Sequence, residues 1–514
     1  MKLDRRVIRS LEITLVSIML MVTQFVVFIQ IIPAYATDID VQGIISPSDK
    51  IITKELPHAK VQAEHRMIKI HKLGEPEVTS EQSPQTLATT TTTQNVATVG
   101  TIIGLAYDRV TPPDVQVAAG PVNIMEMVNL QGEIWTKSGV IQVPPFRLSN
   151  FFGTGFDSIS DPKVLFDANS QRWFASLTDI TTGQVAIAVS TTSDATGSFC
   201  VYKTSSSPSV LFDQPILGVS NDKVVVSTND YNAFTEAFLY AQYWVFNKSQ
   251  MLTCSSTNFA TKTVTGSSSI HPVQSLTSIN TEYMVTAKHT AAGSFIRIFS
   301  VNGIPTSTTT ISVTAKNINV SSILNPPSAV QKGTTFKLDT GDKRVQDAVW
   351  ANNALWLAHN NRCVPSGDTT ARACLHLIEI NTSTMHVMQD FNYGIIGKYL
   401  FYPALRVIPS SGNLFLVFGL SSSTDYPGIE VTEQAAGDPI NSLQSPIMLK
   451  AGVAQVTLTY GCVNNVCRYG DYFGAALDPT VSNGVWVAGE YGSGVLDPSG
   501  YGPAWGTRIG NFTG

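Results

Sequence analysis

The sequence predicts an all-β fold for most of the chain, on three observations. From about residue 100 onward, apolar residues run in short stretches of strand length. Gly, Pro, Asn and Asp separate these stretches at close intervals, which is typical of antiparallel strands joined by turns. Almost no amphipathic helical period is present in the same part of the sequence.

Composition restricts the classes of partner. The chain has 514 residues, of which only 14% are charged, and a net charge of −5. Nucleic-acid binders normally carry a basic patch or stripe, so this balance argues against nucleic acid as a partner. Ser, Thr, Asn and Gly dominate the polar positions, which predicts a surface of hydroxyls and amides rather than charges.

The first 36 residues read as a targeting segment. Basic residues at Lys2, Arg5, Arg6 and Arg9 precede an apolar run over about 11–32, and Ala34-Tyr35-Ala36 offers a small-x-small cleavage site. The run also has the length of a membrane span. Residues 1–36 are therefore predicted to be a signal peptide or a retained anchor. Either places the rest of the chain outside the cytoplasm or at the cell surface, in contact with the membrane only through this segment.

Residues 37–98 are predicted to be a polar linker or propeptide, largely disordered. They show no sustained hydrophobic period and include a threonine run over 89–93. His58, His65 and His71 lie six or seven residues apart here, which is typical of a solvated segment rather than of a metal site.

A weak internal repeat defines the architecture of residues 99–514. An acidic or Pro-marked position opens an apolar run, and an aromatic-centred run follows about a dozen residues later. Seven copies are found, which predicts a single β-propeller of seven four-stranded blades, with six as the alternative count. Two stacked β-sandwiches would also give short strands, but the repeated spacing favours the propeller. The opening positions are Asp114, Asp161, Asp213, His271, Asp347, Tyr402 and Asp471.

The repeat predicts two rings of side chains on one face. The start of a blade's first strand and the end of its second lie at the same end of the antiparallel pair, so the opening positions form an inner ring. Five of them are acids, which would give the channel mouth a negative potential. The predicted outer ring is Asn129, Asp179, Asp230, His289, His359, Asn360 and Glu490.

These rings supply the candidate ligand-binding residues, and no catalytic residue is assigned. The candidates are Asp161, Asp213, His289, Asp347, His359, Asp471 and Glu490. Asp114, Asp161 and Asp471 are also candidate oxygen ligands for Ca²⁺, the one cofactor considered. The alternative for each Asp is a turn cap, bonded to a backbone N–H at the strand start.

The six cysteines are predicted to form three disulfides, as suits a chain outside the cytoplasm. Local spacing favours Cys363 with Cys374 and Cys462 with Cys467, which leaves Cys200 with Cys254. A metal site is disfavoured because the sequence has no CxxC pair.

The last blade resembles one found in secreted prokaryotic β-propeller proteins, of the form RxGDY…DP…WxAGEY…WGTxIG. The matching residues run from Arg468 to Gly510, and the early PPDVQVAAGP over 112–121 and the block from Asp161 to Trp173 also fit. The resemblance covers roughly 110–513. It implies the fold but no established activity.

A more distant resemblance is to sialidases, whose propellers carry Asp boxes. TSDATGSF over 192–199 is similar to such a box with altered spacing, but the arginines do not recur at blade openings as a carboxylate-binding triad would require. No G-x-S-x-G elbow or P-loop is present either. The favoured hypothesis is a noncatalytic exported scaffold that binds an extracellular carbohydrate or protein. The alternative is an extracellular glycoside hydrolase or polysaccharide lyase acting at the acidic channel mouth.

Overall fold

The computed structural model describes residues 40–60, 64–69, 89–91, 96–154 and 158–514. The predicted targeting segment and much of the predicted linker lie outside these ranges. Helical structure in the described ranges is limited to the α-helices Leu148–Phe152 and Lys248–Met251 and the 3-10 turns Thr53–Glu55 and Thr459–Gly461. None of the described helices has the length and apolar character that crossing a membrane requires.

Within the described residues, seven four-stranded antiparallel units follow one another along the chain, named here units 1 to 7. Unit 1 consists of the strands Gln116–Ala119, Asn123–Val128, Gln131–Thr136 and Ile141–Arg147. Unit 2 consists of Ile159–Asp167, Arg172–Asp179, Gln184–Ser190 and Ser198–Lys203. Unit 3 consists of Val210–Val219, Lys223–Asn232, Phe238–Asn247 and Thr257–Val264. Unit 4 consists of His271–Pro272, Glu282–Thr290, Gly293–Asn302 and Ser312–Val320. Unit 5 consists of Val345–Ala351, Ala354–Cys363, Arg372–Asn381 and His386–Tyr393. Unit 6 consists of Tyr399–Val407, Leu414–Ser421, Gly428–Gln434 and Ile447–Lys450. Unit 7 consists of Gly474–Leu477, Gly484–Leu496, Pro503–Thr513 and Ala97–Ala106.

The first strands of the units form a closed ring. Each contacts the first strand of the next unit, and the first strand of unit 7 contacts that of unit 1. A short strand, Gln274–Ser275, runs parallel to the first strands of units 3 and 5 and bridges them. Sheets arranged radially around a ring of first strands define a β-propeller.

The apolar core is divided among the interfaces between units. Each of the seven buried clusters in the described residues draws its members mainly from two adjacent units. Trp173, Trp356 and Trp486 are buried in three different clusters. Aromatic burial of this kind contributes a large share of core energetics.

The ring closes between the two ends of the described chain. Ala97–Ala106 is the outermost strand of unit 7 and pairs antiparallel with Pro503–Thr513. The Leu105 backbone N–H donates to Glu126 Oε2 in unit 1 at 2.7 Å, which fixes the closing strand against the next unit.

Part of the predicted linker is ordered, which differs from the expectation of a largely disordered segment. Four pieces of residues 37–98 pair with the body of the fold. Two of the pieces pair with the outer strands of units 2 and 3, whose unpaired N–H and C=O groups they satisfy. The pairings are Asp40–Ile45 with Thr257–Val264, Pro47–Ile52 with Ser198–Lys203, Arg66–Met67 with Val110–Thr111, and Thr89–Thr91 with Ser442–Gln444.

The three predicted cysteine pairs form disulfides. Cys200–Cys254 joins the outer parts of units 2 and 3, and Cys363–Cys374 crosses the second hairpin of unit 5. Cys462–Cys467 joins the strands Cys462–Val463 and Val466–Cys467, and Lys337–Leu338 runs parallel to the second of these. Disulfides of this kind are consistent with an extracellular protein.

Candidate functional site

The candidate site lies on the face where each unit's first strand begins. Four residues at these beginnings have left-handed backbone conformations, with φ between 51° and 56°: Asp114, Asp161, Gln214 and Tyr402. At Asp161, Gln214 and Tyr402 the pairing between the first and second strands is also irregular. A left-handed non-glycine residue is uncommon, and in Asp161, Gln214 and Tyr402 the backbone N–H donates to a side chain of the preceding unit.

An asparagine near the end of the second strand accepts a backbone N–H at three of these beginnings, and two of the donors are the left-handed Asp161 and Tyr402. Each unit has an equivalent position, two residues beyond the second-strand residue that pairs with the first strand just past its ladder irregularity, or with its first residue where the ladder is regular. Asn129, Asn229 and Asn360 occupy it in units 1, 3 and 5. The bonds are Asp161 N to Asn129 Oδ1 at 2.9 Å, Ser269 N to Asn229 Oδ1 at 2.6 Å, and Tyr402 N to Asn360 Oδ1 at 2.7 Å.

Unit 7 places Glu490 at this position. The Glu490 side chain is fully buried, and neither of its carboxylate oxygens has a hydrogen-bond partner from another described residue. Gly470 allows its approach, since a Cβ there would collide with Glu490 Oε1. The amide of units 1, 3 and 5 is thus replaced in unit 7 by a group that, when ionised, can only accept.

Asp114, Asp161 and Asp471, here named the head cluster, come together at the centre of this face. One carboxylate oxygen from each lies within 4.8 Å of the others, and all three residues are buried. Asp114 Oδ2 accepts from Asn129 Nδ2 at 2.6 Å, and Asp161 Oδ1 accepts from the Tyr472 hydroxyl at 3.1 Å. The second oxygen of Asp114 has no partner among the described residues.

Asp471 is held differently, by an arginine fork. Arg468 Nη1 and Nη2 donate to its two carboxylate oxygens at 2.8 and 2.7 Å, and both side chains are about 6% exposed. Planar bidentate pairing is the geometry in which arginine binds carboxylates most strongly. Asp471 therefore carries a matched countercharge, whereas among the described residues no ion pair involves Asp114 or Glu490.

Burial and mutual repulsion perturb these acids. Burial, then the charges of Asp213 and Asp471, raises the pKa of Asp161 to about 7. Burial, then the charges of Asp114 and Asp471, raises the pKa of Glu490 well above its usual range. Burial also lowers the pKa of Lys163, whose Nζ lies 3.2 Å from the Tyr472 ring centroid, to about 8.

Residues 64–69, here named the cover segment, lie against this face. The Ile68 backbone N–H donates to Thr111 O at 2.8 Å, and Arg468 Nε donates to Ile68 O at 3.2 Å. At its ends, His65 Nε2 lies 2.6 Å from Asp497 Oδ2 and Lys69 Nζ lies 3.0 Å from Glu236 Oε1. The same arginine thus binds both the head cluster and the cover segment.

The channel through the ring is nearly filled. Below the head cluster it holds a cavity of only about 40 Å³, lined by polar side chains that include Gln116, Lys163, His271 and Arg406. Burial lowers the pKa of His271 to about 4, so this imidazole is neutral near pH 7. Toward the opposite face the space widens to about 190 Å³ with a more apolar lining.

Two further predicted acids of the inner ring are engaged by neighbours. Asp347 Oδ2 accepts from the Leu405 backbone N–H at 2.9 Å and from Arg406 Nη1 at 2.7 Å. Asp213 is buried beside the left-handed Gln214, and its charge acts on Asp161. Asp347 fits the capping alternative, combined with an ion pair.

The two candidate histidines do not join the head cluster. His359 is fully buried, with Nδ1 2.8 Å from Asn360 O and its ring centroid 4.6 Å from that of His376. Burial, then His376, lowers the pKa of His359 to about 3. His289 Nδ1 lies 2.7 Å from Ser294 Oγ on the adjoining strand of its own hairpin.

Three residues of the site were not among the sequence-based candidates: Lys163, Arg468 and Tyr472. Arg468 and Tyr472 belong to the RxGDY motif, which was interpreted as a sign of the fold and not of a binding site. Their proximity to Asp471 along the chain was the available signal. Lys163 follows the Asp161-Pro162 turn, and nothing in its sequence context marks a buried amine.

Comparison with known proteins gives loose similarities only. No family model and no curated protein matches the chain. Among solved structures, phage phi92 endosialidase aligns at TM-score 0.39 and 8% identity over 82% of this chain and 69% of its own. A Synechocystis apocarotenoid oxygenase mutant aligns at TM-score 0.39 and 8% identity, over 70% of this chain and 74% of its own. Trypanosoma rangeli sialidase aligns at TM-score 0.34 and 8% identity, over 82% of this chain and 60% of its own. Similarity at this level carries no functional argument, and the propeller assignment rests on the chain's own sheets.

Proposed function

We propose that the chain is an exported seven-bladed β-propeller that binds an extracellular carbohydrate through the face bearing the cover segment, without catalysis. The seven units are its blades. The observation that carries the proposal is the buried state of the head cluster, whose carboxylates are bonded within the fold and lie beneath the cover segment.

A glycosidase needs two carboxyl groups accessible to one sugar. Such enzymes hold the pair about 5–10 Å apart in a cleft that admits the substrate and water. Here the acids of the channel mouth are at most about 5% exposed in the head cluster, and the cavity beneath them is about 40 Å³. A glycoside hydrolase or polysaccharide lyase remains the alternative hypothesis, and this geometry supports it less well.

Shallow depressions on either side of the cover segment offer the binding surface. One, of about 290 Å³, is lined by residues that include Lys69, Asp213 and Glu236. The other, of about 450 Å³, is lined by residues that include Lys69, Asp339 and Asn464. Their sizes suit small ligands or single sugar units. Their mixed lining of charges, amides and backbone suits hydroxyl-rich ligands.

Loops on a rigid ring suit recognition, because the scaffold fixes their positions. The disulfides support a location outside the cytoplasm, at the cell surface or beyond it. The low charge content supports a partner other than nucleic acid. An extracellular protein is the alternative partner.

The test is a glycan and polysaccharide array probed with the purified full-length chain and scored for both binding and released product. Lys69→Ala removes a side chain that lines both depressions and makes only a half-exposed ion pair, so folding should be unaffected. We expect binding to at least one glycan, at least ~10-fold weaker in the variant, with no product. Val122→Ser, at an exposed turn on the opposite face, is the matched control.

Two results would contradict the proposal. Released sugar product would establish the hydrolase or lyase instead. Binding that Lys69→Ala and Val122→Ser reduce equally would place the ligand elsewhere on the molecule. An array without any bound glycan would direct the search to a protein partner.

A further inference from the structure

We propose that the head cluster together with Glu490 binds a divalent cation, Ca²⁺ in preference to Mg²⁺. The site would lie inside the ring, beneath the cover segment, and it is independent of the carbohydrate surface proposed above. Its role would be to hold the first and last units of the ring together, since Asp114 belongs to the approach to unit 1 and Asp471 and Glu490 to unit 7.

The geometry of the head cluster is the first argument. One carboxylate oxygen from each of Asp114, Asp161 and Asp471 lies within 4.8 Å of the others, and all three residues are buried. The Glu490 carboxylate lies against Gly470, the residue before Asp471. Arg468 pairs with Asp471. Buried carboxylates gathered this closely need protons or a cation to neutralise them.

The unpartnered oxygens are the second, independent argument. Both oxygens of Glu490 and one of Asp114 are buried without a partner from another described residue. Buried polar atoms in native proteins nearly always have partners, and exceptions commonly mark an ion or a water. The same position in units 1, 3 and 5 is an asparagine with its side-chain bonds made, so the exception is confined to the unit that carries an acid.

The chemistry of the donors favours calcium. Carboxylate oxygens are hard ligands, and Ca²⁺ accepts six to eight of them in irregular geometry. Mg²⁺ demands near-octahedral geometry and usually retains several waters, for which this buried setting leaves little room. Neutralisation by protons is the competing explanation, and the experiment separates the two.

The experiment uses the full-length chain freed of metal with chelator. Thermal unfolding is followed in chelator, in 1 mM CaCl₂ and in 1 mM MgCl₂. Binding is measured directly by calcium titration calorimetry and by Tb³⁺ luminescence, which the neighbouring Tyr472 would sensitise. We expect Ca²⁺ to raise the Tm by at least ~3 °C, because a ligand that binds only the native state stabilises it. Mg²⁺ should give a smaller shift.

Two variants and a control assign the ligands. Glu490→Gln and Asp114→Asn should lose the calcium shift and the Tb³⁺ signal. In chelator, Glu490→Gln should still fold, because glutamine keeps the shape of the glutamate side chain and carries no charge. Asp179→Asn makes the same charge change at a residue whose carboxylate caps the backbone of its own turn, so its calcium response should match wild type.

The outcomes are decisive in either direction. A wild-type chain with no calcium shift and no Tb³⁺ signal would overturn the proposal and leave protons as the neutralising species. A Glu490→Gln chain that folds and keeps wild-type calcium affinity would overturn the ligand set. Loss of calcium binding in both cluster variants, with Asp179→Asn unchanged, would support the site.

Discussion

At the residue scale, buried acids shape the molecule more than its low charge content suggests. Glu126, in the second strand of unit 1, is fully buried and accepts the N–H of the closing strand's Leu105 at 2.7 Å. Its neighbour across the ladder is Glu133. Burial raises the pKa of Glu126 to about 8 and that of Glu133 to about 7. Ring closure is thus tied to an acid that is protonated near neutrality.

We predict that this acid makes stability fall as the pH rises. The pKa of Glu126 is higher in the folded chain than the unfolded value of 4.5, so the protonated acid stabilises the folded state fully below pH 4.5. This stabilisation is lost as the pH rises through about 8. The loss should be on the order of a few kcal/mol. Glu126→Gln, which keeps the acceptor for Leu105, should flatten the profile in urea unfolding between pH 5 and 9. Glu55→Gln, at an exposed position, should follow wild type.

The limits of sequence-based prediction also lie at this scale. The repeat located the heads at Asp114, Asp161 and Asp471 because turn-forming residues mark strand starts. In the second strands it chose Asp230 and His289, whereas the positions equivalent to the bridging asparagines are Asn229 and Ala287, one and two residues earlier. Side chains alternate between faces along a strand, so the one-residue slip from Asn229 to Asp230 moves the choice to the other face of the sheet.

At the element scale, the Asn bridges between units are the repeated device. Asn360 Nδ2 donates to Thr340 O at 2.9 Å while its oxygen accepts from Tyr402 N, so one side chain joins unit 5, the loop before it and unit 6. Sequence patterns could not reveal these bridges, since each joins residues 20 to 42 positions apart. The strands of the predicted linker were missed for the same reason.

We predict that Asn360→Ala destabilises the fold by ~1–3 kcal/mol, because it leaves a buried N–H and a buried carbonyl without partners. Urea unfolding monitored by tryptophan fluorescence measures this. Asn483→Ala, whose amide donates only to the C-terminal Gly514 O at an exposed turn, should change stability by less than ~0.5 kcal/mol. Equal losses in the two variants would mean that the bridge adds nothing.

At the scale of the whole molecule, the all-β fold class and the three disulfides followed from the sequence, whereas the covered channel mouth did not. Strand length, turns and spacing are local properties that the sequence displays directly. The cover segment depends on contacts such as Arg468 with Ile68, 400 positions apart, which no local pattern encodes. The acidic mouth expected from the sequence is therefore present but buried.

We predict that removing the closing strand has a larger effect than removing everything before it. A chain of residues 96–514 keeps Ala97–Ala106, and one of 107–514 lacks it. The shorter chain should self-associate and melt without a cooperative transition, because the edge of Pro503–Thr513 and the core beneath it become exposed. Light scattering and circular dichroism compare both with the full-length chain. Similar behaviour of the two fragments would show that closure is dispensable.

The pairing of Ala97–Ala106 with Pro503–Thr513 also sets the timing of biogenesis. The last sheet draws one strand from each end of the folded body, so a nascent chain cannot complete the ring until residue 513 has been synthesised. Ala97–Ala106, synthesised first, therefore stays without its partner strand while units 1 to 6 are made.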